Sequence, residues 1–378
     1  MIRLGVIGYG HRIHNFLNSM DSLELGTIVT ALADPDEAGA RRRMGERAGM
    51  CRFYESADAM LKNQALDAVL VGTRCKLHTE MALKVLDCGI PLFLEKPVGI
   101  CEGDLTLLEN AAKVSAAPVV VSFPLRFAPI VQAVRDIVNS GRIGSVAQVQ
   151  IYNNVPYGDV YFQNWYRDTD ETGGLFLQKA THDFDYVNML LGSRPVQTAA
   201  MKTRTFYPAD HPDTLRCENC RERESCPQSD FHKLHFTGET VQGPMCAYGA
   251  SCRNEDSASV LLMYENGVHG VYTQNFFAKL GAQKRGARLL GTKGSVEFDF
   301  YTDEIRVNYY QVRHTEFHRL EYAGEAHFGG DLRLAHHFLN VVRGLEPSAS
   351  TLEDGIYSAR ICLAARTSAE KKVFQDIG

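Results

Sequence analysis

The sequence has 378 residues, a formal net charge of −5, 45% hydrophobic residues and 22% charged residues. This is an ordinary composition for a globular protein with room for two hydrophobic cores, and the negative charge gives no electrostatic support for a nucleic-acid partner. No apolar run approaches the roughly 20 residues of a membrane span, and the amino terminus enters a strand pattern without a signal peptide. We therefore expect a cytoplasmic protein with no membrane partner.

The amino-terminal segment predicts a βαβ unit. An apolar strand, Ile2 to Ile7, is followed by the turn Gly8-Tyr-Gly10 and by a helix pattern from about His11 to Met20. A second apolar run, Thr27 to Ala33, ends at Asp34. A glycine-rich turn between a strand and a helix is typical of a dinucleotide-binding fold.

Several residues of this unit have side chains that suit dinucleotide binding. Gly8 permits the tight turn, and Gly10 lets the backbone approach a pyrophosphate, whose oxygens the helix N–H groups can bind. Asp34 stands where a carboxylate grips the ribose hydroxyls, which favours NAD over NADP, although the three arginines Arg41 to Arg43 weaken that choice. The third glycine of the usual pattern is Ile13 here, so we expect the helix to pack slightly further from the strand.

Strands and helices continue to alternate, which predicts a parallel, doubly wound sheet. The runs are strand Asp67–Gly72, helix Leu77–Cys88, strand Pro91–Leu94, helix Asp104–Ser115 and strand Pro118–Val121. Thr73, Glu95, Lys96 and Ser122 then fall at carboxyl ends of strands, where open α/β sheets bind ligands. Glu95-Lys96-Pro97 places an ammonium group at that edge and, with the glycine-rich turn, predicts a nicotinamide oxidoreductase.

The pattern changes after about Pro124. A strand over Ser145–Asn153 and a helix over Leu175–Leu191 precede several β-rich runs with tight turns, which predict a largely antiparallel sheet. The runs are Val196–Phe206, Ala258–Tyr264, His269–Phe276, Ala287–Leu290, Ser295–Phe300 and Ile305–Tyr310, and two helices follow over Leu332–Arg343 and Asp354–Lys371. We expect a domain over residues 1–123 and another over 124–378, with the C-terminal helix packing back on the first.

The order of motifs resembles the glucose–fructose oxidoreductase/inositol dehydrogenase (Gfo/Idh/MocA) family. The matching pieces are Gly5-Val-Ile-Gly8-Tyr-Gly10, Thr73 with His78, Glu95-Lys96-Pro97, Phe123-Pro-Leu-Arg126-Phe, Gly173-Gly174 with His182-Asp-Phe-Asp185, and His327-Phe-Gly-Gly-Asp331. The resemblance implies an α/β protein with a Rossmann domain and a second α/β domain that carries an open sheet. It also implies NAD(P)-dependent oxidation or reduction of a sugar or polyol by a homo-dimer or homo-tetramer.

The resemblance also assigns site residues. In the expected mechanism His182 takes the proton of a substrate hydroxyl while Lys96 stabilises the developing charge on that oxygen, with Lys179 as a further catalytic candidate. The residues expected to bind the cofactor are Gly8, Tyr9, Gly10, His11, Arg12, Ile13, Asp34, Thr73, His78, Glu95, Lys96 and Arg126. Those expected to bind substrate are Trp165, Arg167, Gln178, Asp185 and His327, although Trp165 could equally be a core residue and Lys179 a solvated one.

One position departs from the family pattern. The family usually has an aspartate four residues before the helical histidine, where it can orient the imidazole, and this chain has Gln178. Lys179 and Asp185 flank His182 at helical spacing. The departure keeps open a redox-neutral enzyme that oxidises a glycoside, eliminates or hydrolyses, and reduces again with tightly bound NAD. A regulatory protein that binds NAD without catalysis is a third reading.

Half of the ten cysteines lie between Cys217 and Cys252. A Cys-x-x-Cys pair with two further thiols can complete a tetrahedral zinc site, so Cys217, Cys220, Cys226 and Cys246 are candidate ligands of a structural zinc. An iron–sulfur cluster also uses four thiolates, and reduced thiols or disulfides in an irregular insertion are the remaining alternative. We expect no catalytic role for this cluster.

Overall fold

The computed structural model describes all 378 residues. Two compact units divide the chain: residues 1–136, 181–190 and 320–363 form the first, and residues 137–180, 191–319 and 364–378 form the second. Within the structure, no helix combines the length and apolarity that crossing a lipid bilayer requires.

The first unit contains a six-stranded parallel sheet in the order β3-β2-β1-β4-β5-β6. The strands are β1 Ile2–Ile7, β2 Thr27–Ala33, β3 Arg52–Tyr54, β4 Ala68–Val71, β5 Leu92–Leu94 and β6 Val119–Val121. This is the strand order of a dinucleotide-binding fold, so the predicted doubly wound sheet is confirmed.

Thirteen α-helical segments occur along the chain. They are α1 His11–Ser22, α2 Glu37–Met44, α3 Ala57–Asn63, α4 His78–Asp87, α5 Glu102–Val114, α6 Pro124–Phe127, α7 Pro129–Asn139, α8 Val160–Gln163, α9 Thr169–Thr172, α10 Thr181–Leu191, α11 Asp230–His232, α12 Gly330–Val342 and α13 Leu352–Lys371. Side-chain caps start two of the short ones: Asp36 accepts from the N–H of Gly39 at α2, and Ser56 accepts from the N–H of Ala59 at α3.

Aromatic side chains tie α1 and α12 to the sheet. Phe16 of α1 stacks on Phe93 of β5 with ring centroids 4.0 Å apart, and Phe338 of α12 meets Phe93 edge-on at 5.4 Å. All three rings are fully buried. Burial of such rings stabilises this layer by a few kcal/mol each, and it brings a helix from late in the sequence into the core of the first unit.

The second unit contains a nine-stranded sheet in the order β14-β13-β12-β11-β7-β10-β9-β8-β15. The strands are β7 Val146–Asn154, β8 Pro195–Thr203, β9 Ser257–Tyr264, β10 His269–Asn275, β11 Lys284–Gly291, β12 Gly294–Asp299, β13 Glu304–Tyr309, β14 Thr315–Arg319 and β15 Gln375–Asp376. Only the β7–β10 pair is parallel, so the predicted, mostly antiparallel sheet is confirmed.

Two predicted elements end or begin differently. The helix predicted over Leu175–Leu191 starts as a π-helix, Phe176–Ala180, before α10. Strand β8 ends at Thr203 rather than Phe206, because the Asp256 carboxylate accepts from the backbone N–H groups of Thr205, Phe206 and Tyr207 and turns the chain away from the sheet.

Candidate active site

The parallel sheet brings the predicted cofactor residues to one edge. Gly8 follows β1, Asp34 follows β2, Thr73 lies just beyond β4, Glu95 and Lys96 follow β5, and Ser122 follows β6. All these strands run in the same direction, so their carboxyl ends share the edge at which such sheets bind ligands. Motifs far apart in sequence therefore meet in one row.

The glycine-rich turn is closely packed on one side and open at the helix start. Gly8 has φ +83°, and a Cβ there would lie 2.7 Å from the Thr73 nitrogen, so a side chain is excluded. Gly10 precedes α1, and no side chain caps this helix. The first-turn N–H groups thus have no side-chain acceptor, which suits the phosphate oxygens of a dinucleotide.

Ile13, at the position of the usual third glycine, is fully buried. A Cβ on Gly72 would lie 2.2 Å from Ile13 Cγ1. The room for the isoleucine therefore comes from a glycine just beyond β4. In the usual pattern the glycine at this contact lies on the helix, whereas here it is Gly72, just beyond β4.

Asp34 is held in place by two backbone donors. Its Oδ2 accepts from the N–H of Tyr9 at 2.6 Å, and its Oδ1 accepts from the N–H of Asp36 at 2.8 Å. Each carboxylate oxygen keeps a further lone pair, so the group fits a ribose diol. Two of the nearby arginines have protein partners: Arg41 pairs with Glu37, and Arg43 donates to the Tyr9 carbonyl at 3.0 Å.

Arg12 lies at the centre of an ion network. Its Nε donates to Glu95 Oε1 at 2.9 Å, and its Nη2 donates to Ser122 Oγ at 3.0 Å and lies 2.8 Å from Asp331 Oδ1. Burial alone would raise the pKa of Asp331, but the charges of His327 and Arg12 and their hydrogen bonds bring it well below its usual range. Arg12 thus connects the glycine-rich turn to the Glu95-Lys96-Pro97 motif and to α12.

His78 supports the loops at the sheet edge. Its Nδ1 lies 2.7 Å from the Pro97 carbonyl oxygen and its Nε2 lies 3.1 Å from the Thr73 carbonyl oxygen. The ring is 2% exposed, and burial lowers its pKa. The peptide bond between Lys96 and Pro97 is cis. His78 therefore fixes the loop that carries Lys96, and its own ring nitrogens face the protein backbone.

Two histidines approach each other near the end of β6. The His182 ring, on α10, lies 5.9 Å from the Phe123 ring and 6.0 Å from the His327 ring, centroid to centroid. His327 Nδ1 lies 2.9 Å from Asp331 Oδ2, so a carboxylate orients this imidazole. His327 and Phe328 have φ of +44° and +56°, a strained conformation that is found preferentially at functional sites.

Arg126 and Asp185 form a buried ion pair. Arg126 Nε donates to Asp185 Oδ2 at 2.9 Å, Nη2 donates to Oδ1, and Nη1 lies 3.2 Å from Asp354 Oδ2. Burial raises the pKa of Asp185 to about 6, against the opposing charge and hydrogen bonds of Arg126. Both side chains, which the sequence assigned to cofactor and substrate, are engaged with each other.

In the second unit, Gln178 and Lys179 lie on the π-helix. Lys179 Nζ donates to Tyr157 Oη at 2.7 Å and lies 5.3 Å from the centre of the Tyr161 ring. Gln178 Nε2 donates to the Thr172 carbonyl at 3.0 Å. Single-turn π-helices occur frequently at functional sites because they push one side chain out of α-helical register.

Trp165 and Arg167 lie on a short helical turn of the same unit. Trp165 stacks on Tyr166 with ring centroids 3.9 Å apart, so one face of the indole is covered. The Arg167 guanidinium lies 3.9 Å from Asp213, and its side chain is 11% exposed. A Cβ on Gly249 would collide with this guanidinium, so the glycine makes room for it.

The predicted cysteine ligands share one small cavity of the second unit. Cys217, Cys220, Cys226 and Cys246 all line it, and all ten cysteines are free thiols. The structure contains no group of three or more His, Cys, Asp or Glu side chains already arranged to hold a metal ion.

Two family models cover almost the whole chain. The NAD-binding Rossmann fold of the GFO_IDH_MocA oxidoreductase family matches residues 2–123, and the C-terminal alpha/beta domain of that family matches residues 135–375. The chain belongs to the Gfo/Idh/MocA oxidoreductase family. The resemblance inferred from the motifs is thereby confirmed.

Curated relatives are a little more than a quarter identical to the chain over the aligned residues. YteT of Bacillus subtilis (strain 168) is 28% identical over 311 residues, 74% of this chain and 72% of that protein. Inositol 2-dehydrogenase of Corynebacterium glutamicum is 27% identical over 206 residues, 54% of this chain and 58% of that enzyme. The match thus spans little more than half of the inositol dehydrogenase.

A solved structure shares the complete fold. Levoglucosan dehydrogenase in complex with NADH and levoglucosan superposes with a TM-score of 0.79, covering 100% of this chain and 99% of that one at 17% identity. At this identity the likeness shows the fold alone.

Sequence reasoning missed several residues of this Gfo/Idh/MocA site. Asp331 and Phe123 received no individual role, and Ser122 was placed only at a ligand-binding strand end, although the structure places them against Arg12, His327 or His182. His327 precedes α12 in a left-handed conformation, so helical spacing does not predict its contact with Asp331. No sequence signal pointed to Ser122 as a partner of Arg12.

Proposed function

We propose that this protein transfers hydride between NAD and a hydroxyl-bearing carbon of a sugar, polyol or sugar derivative. The observation that supports this most strongly is the contact between two imidazoles: His182 packs on Phe123 at the end of β6, and the carboxylate-bound His327 lies against His182. The neighbouring strand β5 ends in Glu95-Lys96-Pro97. Lys96 thus follows β5, and the His182 imidazole of α10 packs on Phe123, which follows the adjacent strand β6.

Lys96 and His182 have the central roles in this proposal. His182 accepts the proton of the reacting hydroxyl, since an imidazole has an unperturbed pKa near 6.5 and can carry a proton at working pH. Lys96 holds the same oxygen and stabilises the negative charge that develops on it. Bound NAD supplies the hydride acceptor.

His327 replaces the missing family aspartate in part, as the side chain that orients the reacting groups at His182. Gln178 donates to a backbone carbonyl, whereas His327 is held by Asp331, which Arg12 binds in turn. The fixed His327 imidazole can bind a second substrate hydroxyl, and this contact keeps the substrate in position for proton transfer to His182. Lys179 and its partner Tyr157 are a further catalytic candidate, and Trp165, Arg167 and Asp185 stay proposed substrate contacts.

NAD is the proposed form of the cofactor. The Asp34 carboxylate, fixed by two backbone N–H groups, would repel a 2′-phosphate. Arg41 and Arg43 engage Glu37 and the Tyr9 carbonyl. Gly8, Gly10 and the first turn of α1 would hold the pyrophosphate, with Tyr9, His11 and Thr73 around it.

The names of relatives support a polyhydroxylated ring as substrate. They include inositol 2-dehydrogenases, a 1,5-anhydro-D-fructose reductase of Ensifer adhaerens and levoglucosan dehydrogenase. The test is a panel of inositols, 1,5-anhydro sugars and aldoses with NAD or NADP, read by formation of reduced nicotinamide. Net NADH formation with one ring class supports the proposal, and no turnover with any of them contradicts it.

A redox-neutral enzyme is the second candidate. It is favoured by Gln178, which stands in place of the family aspartate and is bound to the Thr172 carbonyl. Such an enzyme oxidises, eliminates or hydrolyses, and reduces again on the same bound NAD. Native mass spectrometry of protein purified without added cofactor distinguishes the two, because retained NAD together with glycoside cleavage and no net NADH favours this candidate.

Assembly and location are part of the proposal. The second sheet exposes apolar side chains on neighbouring strands, Met201 at 78%, Leu261 at 54% and Met263 at 46%. A second copy of the chain would cover this face in a homo-dimer or homo-tetramer. We propose the cytoplasm as the location, in keeping with ten cysteines that form no disulfide. Light scattering of wild type and Leu261→Asp tests the assembly.

A further inference from the structure

The segment between β8 and β9 is long and has little regular structure. Over residues 204–256 it contains only α11, two short irregular helical turns and two isolated β-bridges, His211 with Gly249 and Arg216 with Met245. Loops of more than about 15 residues without secondary structure are uncommon in compact proteins and need another source of order. The apolar contribution of the segment is small, chiefly Tyr207, Ala247 and Cys252.

Four thiols of this segment converge on one place. Cys217, Cys220, Cys226 and Cys246 line the same cavity, and they come from two stretches that the Arg216–Met245 bridge holds side by side. The N–H of Cys217 donates to the Pro244 carbonyl, and the N–H of Cys246 donates to the Leu215 carbonyl. The backbone thus fixes the spacing of the first and last cysteine before any ligand is considered.

Four cysteines are one of the ligand sets of structural zinc, which is tetrahedral with metal–sulfur bonds of about 2.3 Å. The Cys217-x-x-Cys220 spacing lies within the range found in such zinc sites. Four sulfur ligands also suit an iron–sulfur cluster, which differs by its acid-labile sulfide.

We propose that Cys217, Cys220, Cys226 and Cys246 bind one structural zinc ion that fastens the 204–256 segment to itself. The thiols are not yet arranged around a common point, so they reorient when the ion enters. This reorientation is easy, because a cysteine side chain has a single heavy-atom rotation to adjust. Cys252 is excluded from the ligand set, since its sulfur donates to the Tyr161 carbonyl and does not line the cavity.

The experiment measures metal content of untagged full-length protein grown with zinc and iron in the medium. Elemental analysis of the wild type is expected to give about one zinc per chain. The variants Cys217→Ser and Cys246→Ser are expected to lose it, whereas Cys252→Ser in the same segment and the exposed Cys88→Ser are expected to keep it. Removal of zinc is also expected to speed proteolytic cleavage within residues 204–256 at least several-fold.

A second measurement uses wild-type protein, so that the proposal can be tested even if the cysteine variants do not fold. Wild-type protein is stripped of metal under reducing conditions and titrated with Co²⁺, whose visible spectrum reports a tetrahedral tetrathiolate site. A one-to-one endpoint with that spectrum supports the proposal. Iron with acid-labile sulfide, disulfides among these four cysteines, or no metal together with a featureless cobalt titration would each overturn it. NAD binding is measured in parallel, and its outcome bears on the proposed function alone.

Discussion

Arg12 Nη2 lies 2.8 Å from Asp331 Oδ1, and the same guanidinium holds Glu95 at 2.9 Å. One cation from the start of α1 thus neutralises two buried carboxylates, one beside Lys96 and one that orients His327. The Arg12 side chain thus links the glycine-rich turn to the candidate catalytic groups.

Replacing Arg12 should therefore weaken both stability and catalysis. In Arg12→Ala, the buried Glu95 and Asp331 both lose the guanidinium, and Asp331 keeps only His327 as a partner. We expect a loss of about 2 kcal/mol in the free energy of unfolding, less than the roughly 3–5 kcal/mol of a fully buried pair because a quarter of Arg12 is exposed. Urea denaturation measures this loss, with Arg333→Ala on the exposed face of α12 as control. Equal stability of the two variants would show that the network contributes nothing.

Asp331 should give the protein an acid-sensitive component of stability. Its pKa is lowered in the folded state, so the unfolded chain binds the proton more readily. The associated stability is present above the unfolded pKa of about 3.9 and is lost as the pH falls further. Between pH 5 and pH 3 the free energy of unfolding should fall more steeply in wild type than in Asp331→Asn. Parallel curves would contradict the ion network.

Asp34 should determine the choice between NAD and NADP. Removing its charge in Asp34→Ala eliminates the repulsion of a 2′-phosphate and the bonds to the ribose. We expect the ratio of the two dissociation constants to move toward NADP by about tenfold or more, which corresponds to about 1.4 kcal/mol. Calorimetric titration measures both constants. Asp36→Ser, which removes a neighbouring charge and keeps the α2 cap, should leave the ratio unchanged.

Asp185 should act chiefly through Arg126. Because two guanidinium nitrogens bond to its carboxylate in a buried setting, Asp185→Asn should cost about 3 kcal/mol of stability. Asp354→Asn should cost less, since that side chain is 26% exposed. A stable Asp185→Asn protein with a raised KM alone would instead favour direct contact with substrate.

The parts of the site predicted from sequence are those set by local chain geometry. Gly8 and Asp34 were found because a strand, a glycine turn and a second strand fix their positions within one βαβ unit. Lys96 followed from its place directly after an apolar strand. Helix α2 was not predicted, although Asp36 before Glu37 is a usable cap signal. Its apolar side is short, and three consecutive arginines interrupt the apolar spacing.

The contacts that complete the site depend on distant parts of the chain. Neither Arg12 with Asp331 nor His182 with His327 follows from periodicity, because each pair is set by the packing of α12 and α10 in the first unit. Amino-acid composition does not mark the π-helix before α10. That Gly72 makes room for Ile13 is visible only once β4 is placed beside α1.

The most direct test of the central claim is the rate of the first turnover with NAD and a ring substrate deuterated at the carbon that loses hydride. Wild type should transfer the deuterium to NAD and form deuterium-labelled NADH. His182→Ala and Lys96→Met should slow this step by about 10² or more, with NAD affinity within roughly twofold of wild type. His318→Ala, an exposed residue of β14, should behave as wild type. Unchanged transfer in both site variants would contradict the proposed roles of Lys96 and His182.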